Sequence, residues 1–189
     1  MTNEHMQLLE TPRLRIRSAL KMDAPLIRAL WSDPRVTVCV GFPNGIPTSV
    51  EEIEAQIERD WERPLKQLLI VERQSDGEPV GEVKLGEPGT DGICEPDIKL
   101  FPDHWAQGYG VELWSTMIAH LFAQDGCEIV QGTPNIANTA SVRMMERCGM
   151  TRMGEGRFVP GGPLRDSMTD VPHYIYQIRR EDWLAGRSS

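Results

Sequence analysis

The chain has 189 residues, of which 40% are hydrophobic and 25% are charged. This is the composition of an ordinary globular protein, and it excludes a disordered chain or a small disulfide scaffold. The formal net charge of -8 at pH 7 opposes binding to nucleic acid or to anionic lipid. No apolar run approaches the ~20 residues of a membrane span, so we expect neither nucleic acid nor a membrane as a partner.

The cysteines and histidines carry no pattern of a metal site. The four cysteines lie far apart without a CxxC motif, and the four histidines are not at zinc-ligand spacing. The first ten residues lack the apolar segment of a secretory signal. We therefore predict reduced thiols, no bound metal and a cytoplasmic location.

In the first half of the chain, three short segments have patterns typical of strands, and apolar residues recur at helical spacing in two others. Ser49 and Glu52 form a capping box in front of the second of these helices. Asp76-Gly77 is a turn dipeptide between two apolar runs and predicts an antiparallel hairpin. The predicted elements are a strand at 14–17, a helix at 24–31, a helix at 50–61, and hairpin strands at 68–71 and 80–85.

The second half of the chain mixes strands and helices. Gly126 and Gly149 follow helical patterns and mark their ends. The predicted elements are a strand at 93–101, a helix at 110–122, a strand at 128–133, a helix at 138–148, and strands at 153–158 and 173–178. This order is typical of a helix-flanked sheet of α+β or α/β type.

A glycine-rich segment, Trp105-Ala106-Gln107-Gly108-Tyr109-Gly110, lies between a predicted strand and a predicted helix. Glycines let the backbone approach an anion, and the free N–H groups at a helix start can hold a pyrophosphate. A tight turn without a ligand explains two glycines equally well. No Gly-Lys-Ser/Thr follows and GxGxxG is incomplete, so a Walker A loop and a dinucleotide fingerprint are excluded.

A second block allows a more specific interpretation of the glycine-rich segment. Residues 135–150, NIANTASVRMMERCGM, resemble the N-x-x-N-x-x-S-x-x-x-x-E-K/R-x-G-F block of the GCN5-related N-acetyltransferase (GNAT) superfamily. Residues 101–110, FPDHWAQGYG, resemble the acetyl-CoA loop of that superfamily. Trp105, the opening LETPRL at 9–14 and the closing RREDW at 179–183 are similar to its ribosomal-protein N-acetyltransferase branch. The resemblance covers about residues 8 to 183.

The resemblance implies a fold and an enzyme class. We expect residues 1–189 to form a single GNAT acetyltransferase domain of α+β (α/β three-layer) class. Its twisted mixed sheet would have six to seven strands and be flanked by about four helices. The implied activity is that of an acyl-CoA-dependent N-acetyltransferase with acetyl-CoA as cosubstrate.

The same resemblance implies roles for individual residues. The backbone of Leu100 and Phe101 would align the pantetheine arm like an added strand, and Asn138 would hydrogen-bond its amide. Ser141 would lie near the thiol and protonate the leaving thiolate; helix capping is the alternative role for Asn138 and Ser141. Backbone N–H groups would bind the pyrophosphate from Trp105, Ala106, Gln107, Gly108, Tyr109, Gly110 and Val111.

The acceptor strand departs from the family pattern, because Asp97 stands where the branch usually has glycine and Lys99 where an aromatic is common. Acetyl transfer needs a neutral amine, which a nearby carboxylate can generate. Our first choice for this base is Glu95, which shares a strand face with Asp97; Glu82 is a third candidate. Ion pairing with Lys84 or Lys99 is an equally good explanation for these carboxylates.

The predicted function is direct acetyl transfer to a primary amine. The branch suggests a protein N-terminus as acceptor, whereas the acidic charge also permits a small-molecule amine such as a polyamine or an aminoglycoside. The loop at 159–172 is long enough to be a lid or an acceptor wall, and a mobile surface segment is an equal alternative. A non-catalytic acyl-CoA-binding sensor is the alternative function, and the resemblance leaves a homodimer open.

Overall fold

The computed structural model describes residues 7–162 and 165–187, and within these ranges the chain forms nine strands and six α-helices. The strands are β1 (Gln7–Glu10), β2 (Leu14–Ser18), β3 (Leu69–Arg73), β4 (Pro79–Lys84), β5 (Ile93–Cys94), β6 (Asp97–Leu100), β7 (Ile129–Gly132), β8 (Thr151–Phe158) and β9 (Val171–Arg179). The helices are α1 (Ala24–Ser32), α2 (Pro34–Thr37), α3 (Val50–Asp60), α4 (Tyr109–Phe122), α5 (Thr139–Arg147) and α6 (Arg180–Arg187).

The nine strands form two sheets. The first sheet has the order β1-β2-β3-β4-β6 and is antiparallel throughout. The second has the order β5-β7-β9-β8, in which β5 and β7 are parallel and the other pairs antiparallel. The chain therefore has helices and a mixed set of strands, and the predicted fold class is confirmed.

Side-chain alternation on β3 builds a three-layer core. Leu69 and Val71 pack with α4 in one buried cluster, whereas Ile70 packs with α1 and α3 in another. Successive side chains of a strand point to opposite faces, so β3 supports a helical layer on each side. The predicted capping box begins α3, since Glu52 N–H donates to Ser49 Oγ at 3.2 Å and Ser49 N–H donates to Glu52 Oε2 at 2.8 Å.

The strand predicted at 93–101 is divided in two. β5 pairs with β7 in the second sheet, and β6 pairs with β4 in the first. Glu95 and Pro96 lie between them, and Pro96 has no N–H to donate to a neighbouring strand. The two sheets consequently separate between β6 and β7, and the opening becomes the candidate site.

Three further elements differ from the sequence prediction. β1 and the division of one strand raise the strand count from the expected six to seven to nine, and α2 and α6 add to the expected four helices. Asp33-Pro34 ends α1 as predicted, but the Asp33 side chain also caps α2 by accepting from Arg35 N–H at 2.9 Å. Proline is tolerated in the first turn of a helix, so Asp33-Pro34 both ends α1 and begins α2.

Among the described residues, none of the helices combines the length and the apolar character that a membrane span requires.

Candidate active site

The glycine segment leads from β6 into α4 through a left-handed backbone. Ala106 has a φ of 58° and Gly108 a φ of 82°, so left-handed residues occur at alternate positions of the segment. Such a backbone can turn successive N–H groups towards one side. Within the described residues, the backbone N–H groups at 106–111 donate to no protein acceptor. A helix start with free N–H groups attracts an anion, so this segment can receive a phosphate.

A clamp from the N-terminal segment holds the glycine loop in place. Arg13 donates from Nη1 to the Gln107 carbonyl at 3.0 Å and from Nε to Glu112 Oε2 at 2.7 Å. Its guanidinium lies 4.6 Å from the centre of the Tyr109 ring, and Thr11 Oγ1 also donates to Glu112. Burial opposes ionisation of Glu112, but the hydrogen bonds from Thr11 and Arg13 outweigh it and lower the pKa of this carboxyl.

Two of the backbone groups predicted to bind the cosubstrate are already engaged. The Trp105 N–H donates to the Pro102 carbonyl at 3.1 Å. The Phe101 N–H donates to the Val80 carbonyl at 3.0 Å, and the Phe101 carbonyl accepts from His104 N–H at 3.0 Å. Neither N–H is free for a ligand, because the turn at 102–104 and the β4–β6 ladder use them.

The open edge of β6 presents Leu100 and Ile98 instead. The Phe101–Val80 bond fixes the alternation of the antiparallel ladder, so the backbone polar groups of Ile98 and Leu100 face away from β4. The Leu100 carbonyl accepts from the Trp105 indole Nε1 at 2.9 Å, which leaves the Leu100 N–H and the Ile98 carbonyl facing the opening. An extended ligand can add to this edge as a strand does.

Asn138 and Ser141 lie together at the start of α5. Asn138 Oδ1 accepts from Ser141 N–H at 3.1 Å, which is the capping contact that the sequence allowed. Within the described residues, the Asn138 amide nitrogen and the Ser141 hydroxyl make no hydrogen bond. The capping role therefore leaves both groups available to a ligand.

A cleft of about 480 Å³ occupies the opening between β6 and β7. It brings together four residues predicted from the sequence, namely Glu95, Asp97, Asn138 and Ser141. Its other lining residues include Cys39, Val40, Ile98, Trp114, Gln131, Asn135, Met144, Phe158, Met168, Val171, His173 and Ile175. The volume is that of a small-molecule site.

Glu95 is held at the cleft by the Gln131 amide, which Gln177 orients in turn. Gln177 Nε2 donates to Gln131 Oε1 at 2.6 Å, and Gln131 Nε2 donates to Glu95 Oε1. Gln131 and Gln177 are direct partners in the β7–β9 ladder. The first amide fixes the orientation of the second, so the NH₂ group of Gln131 is directed at the carboxylate.

Asp97 is paired rather than free. Lys99 Nζ donates to Asp97 and, at 3.3 Å, to Glu82 Oε1, which also accepts from the Trp31 indole at 3.0 Å. Burial opposes the charge on Lys99, but the two carboxylates outweigh it and raise its pKa; Lys99 in turn lowers the pKa of Asp97. Glu82 is 1% exposed and does not line the cleft, so of the three candidate bases it is the least accessible.

The structure adds site residues that the sequence did not suggest. Thr11 and Arg13 of the clamp belong to the opening block at 9–14 that carried part of the resemblance, and they contact Glu112 of α4. Gln131, Phe158 and His173 come from three strands and meet only after folding. Met168 and Val171 show that the loop predicted at 159–172 forms a wall of the cleft; residues 163–164 lie outside the described ranges.

Comparison with known proteins identifies the family. The sequence pattern of the acetyltransferase (GNAT) domain matches residues 13–151. The chain belongs to the GNAT acetyltransferase family. The uncharacterized N-acetyltransferase YoaA of Bacillus subtilis (strain 168) is 25% identical over 151 residues, which cover 78% of this chain and 84% of YoaA.

Solved GNAT structures share the fold. Spermidine N-acetyltransferase from Vibrio cholerae, in complex with CoA and spermine, superposes with a TM-score of 0.74 at 18% identity and covers 90% of this chain and 98% of its own. Aminoglycoside acetyltransferase AAC(6')-Ib, in complex with coenzyme A, superposes with a TM-score of 0.65 at 17% identity and covers 92% and 99%. The prediction of a GNAT acetyltransferase that uses acetyl-CoA is thereby confirmed.

Proposed function

We propose that this GNAT protein transfers an acetyl group from acetyl-CoA directly to a primary amine, with Glu95 as the base and Ser141 as the acid. The observation that carries the proposal is the cleft, which is lined both by the Glu95 carboxylate, held by Gln131, and by the Ser141 hydroxyl, which has no hydrogen-bond partner among the described residues. Acid and base groups on either side of a reacting centre are what acyl transfer to an amine requires.

The cosubstrate would be held mainly by backbone. The free N–H groups at 106–111 would bind the pyrophosphate, which removes Trp105 from the predicted set of backbone donors. The Leu100 N–H and the Ile98 carbonyl would pair with the pantetheine arm, Ile98 taking the place predicted for Phe101. The Asn138 amide, at the start of α5, would hydrogen-bond the same arm.

The chemistry divides between two side chains. Acetyl-CoA supplies an acyl thioester whose thiolate leaves readily. Glu95 would take a proton from the acceptor ammonium, directly or through a water, so that the neutral nitrogen forms the C–N bond while the C–S bond breaks. Ser141 would give its hydroxyl proton to the departing sulfur. The acylated nitrogen would lose its second proton, through water, to the Ser141 oxygen, which leaves a neutral amide and a free thiol.

A covalent acetyl-enzyme is the competing route, because Cys39 also lines the cleft. Burial raises the pKa of the Cys39 thiol. A thiol with a raised pKa is a poor nucleophile at neutral pH, which favours direct transfer.

Initial-velocity kinetics with both substrates varied, together with mass spectrometry after incubation with acetyl-CoA alone, test this proposal. We expect intersecting lines, no acetyl adduct, and retained activity in the Cys39→Ala variant. Parallel lines with an adduct on Cys39 would overturn direct transfer. Binding of acetyl-CoA with no acetylation of any amine would favour the sensor alternative.

The acceptor and the setting belong to the same proposal. A protein N-terminus and small amines are both candidates; the structural relatives include enzymes named for spermidine and for aminoglycosides. The charge of -8 favours a cationic amine over an anionic acceptor. We further propose that the protein works in the cytoplasm as one domain, and a homodimer is compatible with this function.

A further inference from the structure

Part of the cleft lining is apolar. We call this surface the apolar wall, and it is defined by Val40, Phe158, Met168, Val171 and Ile175. These residues come from the turn at 38–40, from the end of β8, from the segment before β9 and from β9 itself. Phe158 is 45% exposed, so a large aromatic face is available to a ligand.

The apolar wall is tied together by tight contacts. Thr169 N–H donates to the Gly41 carbonyl at 2.8 Å, which joins the turn at 38–41 to the segment before β9. A Cβ on Gly41 would lie 2.7 Å from Met168 Cε and 2.8 Å from Val171 Cγ2. The two segments therefore fit against each other without spare room, and they form one surface rather than two separate loops.

Few charged side chains line the cleft. Among the residues that the structure describes, the charged or titratable side chains lining the cleft, thiol apart, are Glu95, Asp97 and His173. Asp97 and the buried Glu82 share the ammonium of Lys99, and Lys84, the ladder partner of Asp97, supplies the second positive charge near them. Glu95 contacts a neutral amide and is the carboxylate left to balance a ligand cation.

Because Asp97 is paired and Glu95 is not, the positive charge that an acceptor can carry into the cleft is limited. One unpaired carboxylate can balance one ammonium, whereas a second or third cationic group would lose its water without gaining a partner. An apolar substituent, in contrast, gains free energy in proportion to the area that it buries on the wall.

On the basis of the proposed transferase function, we propose that the acceptor is a primary amine with a single positive charge and an apolar substituent next to it. The ammonium lies at Glu95 and the substituent lies against the apolar wall. Small arylalkyl or alkyl amines and peptides with an apolar first residue share this chemistry. Polyamines and aminoglycosides, which carry several cationic groups, are poor acceptors.

A panel of four amines at equal concentration tests the proposal by kcat/KM, with release of the CoA thiol as the signal. The panel holds 2-phenylethylamine, a short uncharged peptide with an N-terminal leucine, spermine and kanamycin. We expect at least one of the first two to exceed spermine and kanamycin by about tenfold or more, and the better of the two identifies the source. A preference for spermine or kanamycin would overturn the proposal while leaving transferase activity intact. No acetylation of any amine would overturn the proposed function as well.

Variants of the apolar wall give a second, independent readout. Phe158→Ala should raise the KM for the preferred apolar amine about tenfold and change kcat less than twofold, because the ring contacts the substituent and not the reacting nitrogen. Met153→Ala is the matched control, since Met153 is on the same strand, is 59% exposed and does not line the cleft. An unchanged KM in Phe158→Ala, or an equal change in both variants, would contradict the assignment.

Discussion

The two halves of the proposed site, the cosubstrate half and the acceptor half, are built in different ways. The proposed cosubstrate half consists of backbone groups from the stretch 98–111, which Arg13 clamps, and of the side chains of Asn138 and Ser141. The acceptor half consists of side chains from five separated segments, and its charge is set by buried pairing below the surface. The stretch 98–111 therefore tolerates changes of side chain as long as the backbone is kept, whereas the acceptor half depends on each side chain.

The ion pairs of Lys99 with Asp97 and Glu82, in the acceptor half, should be the point at which a substitution has the largest effect. Lys99→Met leaves Asp97 and the buried Glu82 without their cation, and removal of one partner from a buried pair costs about 3–5 kcal/mol. We expect a fall of that size in the free energy of unfolding, measured in urea. Lys66→Met is the control, because Lys66 is exposed and forms no ion pair in the described structure. Equal destabilisation by both changes would contradict the role of the buried pairing.

Removal of the proposed base should slow catalysis without weakening the binding of acetyl-CoA. Glu95→Gln keeps the shape but cannot accept a proton, so we expect kcat to fall about 10²–10³-fold at neutral pH. The dissociation constant for acetyl-CoA, measured by calorimetry, should stay within twofold. Glu128→Gln, just before β7 and outside the cleft, is the control. An unchanged kcat in Glu95→Gln would transfer the role of base to Asp97 or to solvent.

The clamp on the glycine loop should show a dependence on pH. The folded state lowers the pKa of Glu112 below its ordinary value of 4.5. Its stabilising contribution is therefore fully present above that value and is lost as the pH falls through the lower, folded pKa. Glu112→Gln should lose about 1–2 kcal/mol at pH 7, and the difference from the wild type should shrink below pH 4.5. A difference that stays constant down to acid denaturation would contradict the clamp.

The smallest expected effect is on the orientation of Glu95. Gln131→Leu removes the amide that donates to the carboxylate, and we expect kcat to fall about three- to tenfold, in line with one lost hydrogen bond. The KM for acetyl-CoA should not change. Gln177→Leu should give a weaker version of the same effect, because Gln177 acts only through Gln131. A larger effect from Gln177→Leu than from Gln131→Leu would contradict this order.

For a physical reason, the sequence offered candidate residues more readily for the proposed cosubstrate half than for the proposed acceptor half. A backbone site is specified by local features, such as Gly108 at a helix start or Asn138 at a cap position, and these are readable within a few residues. Phe101 and Trp105 were predicted to contribute, but hydrogen bonds within the fold engage both N–H groups, and no local pattern shows that.

The acceptor half could not be predicted in the same way. Gln131, Phe158 and Met168 are ordinary strand or loop residues until β7, β8 and the segment before β9 come together. The division of the strand at Pro96 is the exception, since a proline inside an apolar run argues against a continuous central strand. That residue therefore carried a usable signal for the opening between the sheets.

The most direct test of the backbone-built cosubstrate half is calorimetric titration of acetyl-CoA into four proteins. These are the wild type, Gly108→Asp, Gly108→Asn and Glu95→Gln. A carboxylate at 108 lies at the free N–H groups and repels a pyrophosphate, whereas the amide of nearly the same size adds no charge. We predict micromolar binding to the wild type and to Glu95→Gln, a loss of at least about a hundredfold in Gly108→Asp, and a much smaller loss in Gly108→Asn. No binding to the wild type, or equal losses in the Asp and Asn variants, would contradict the account.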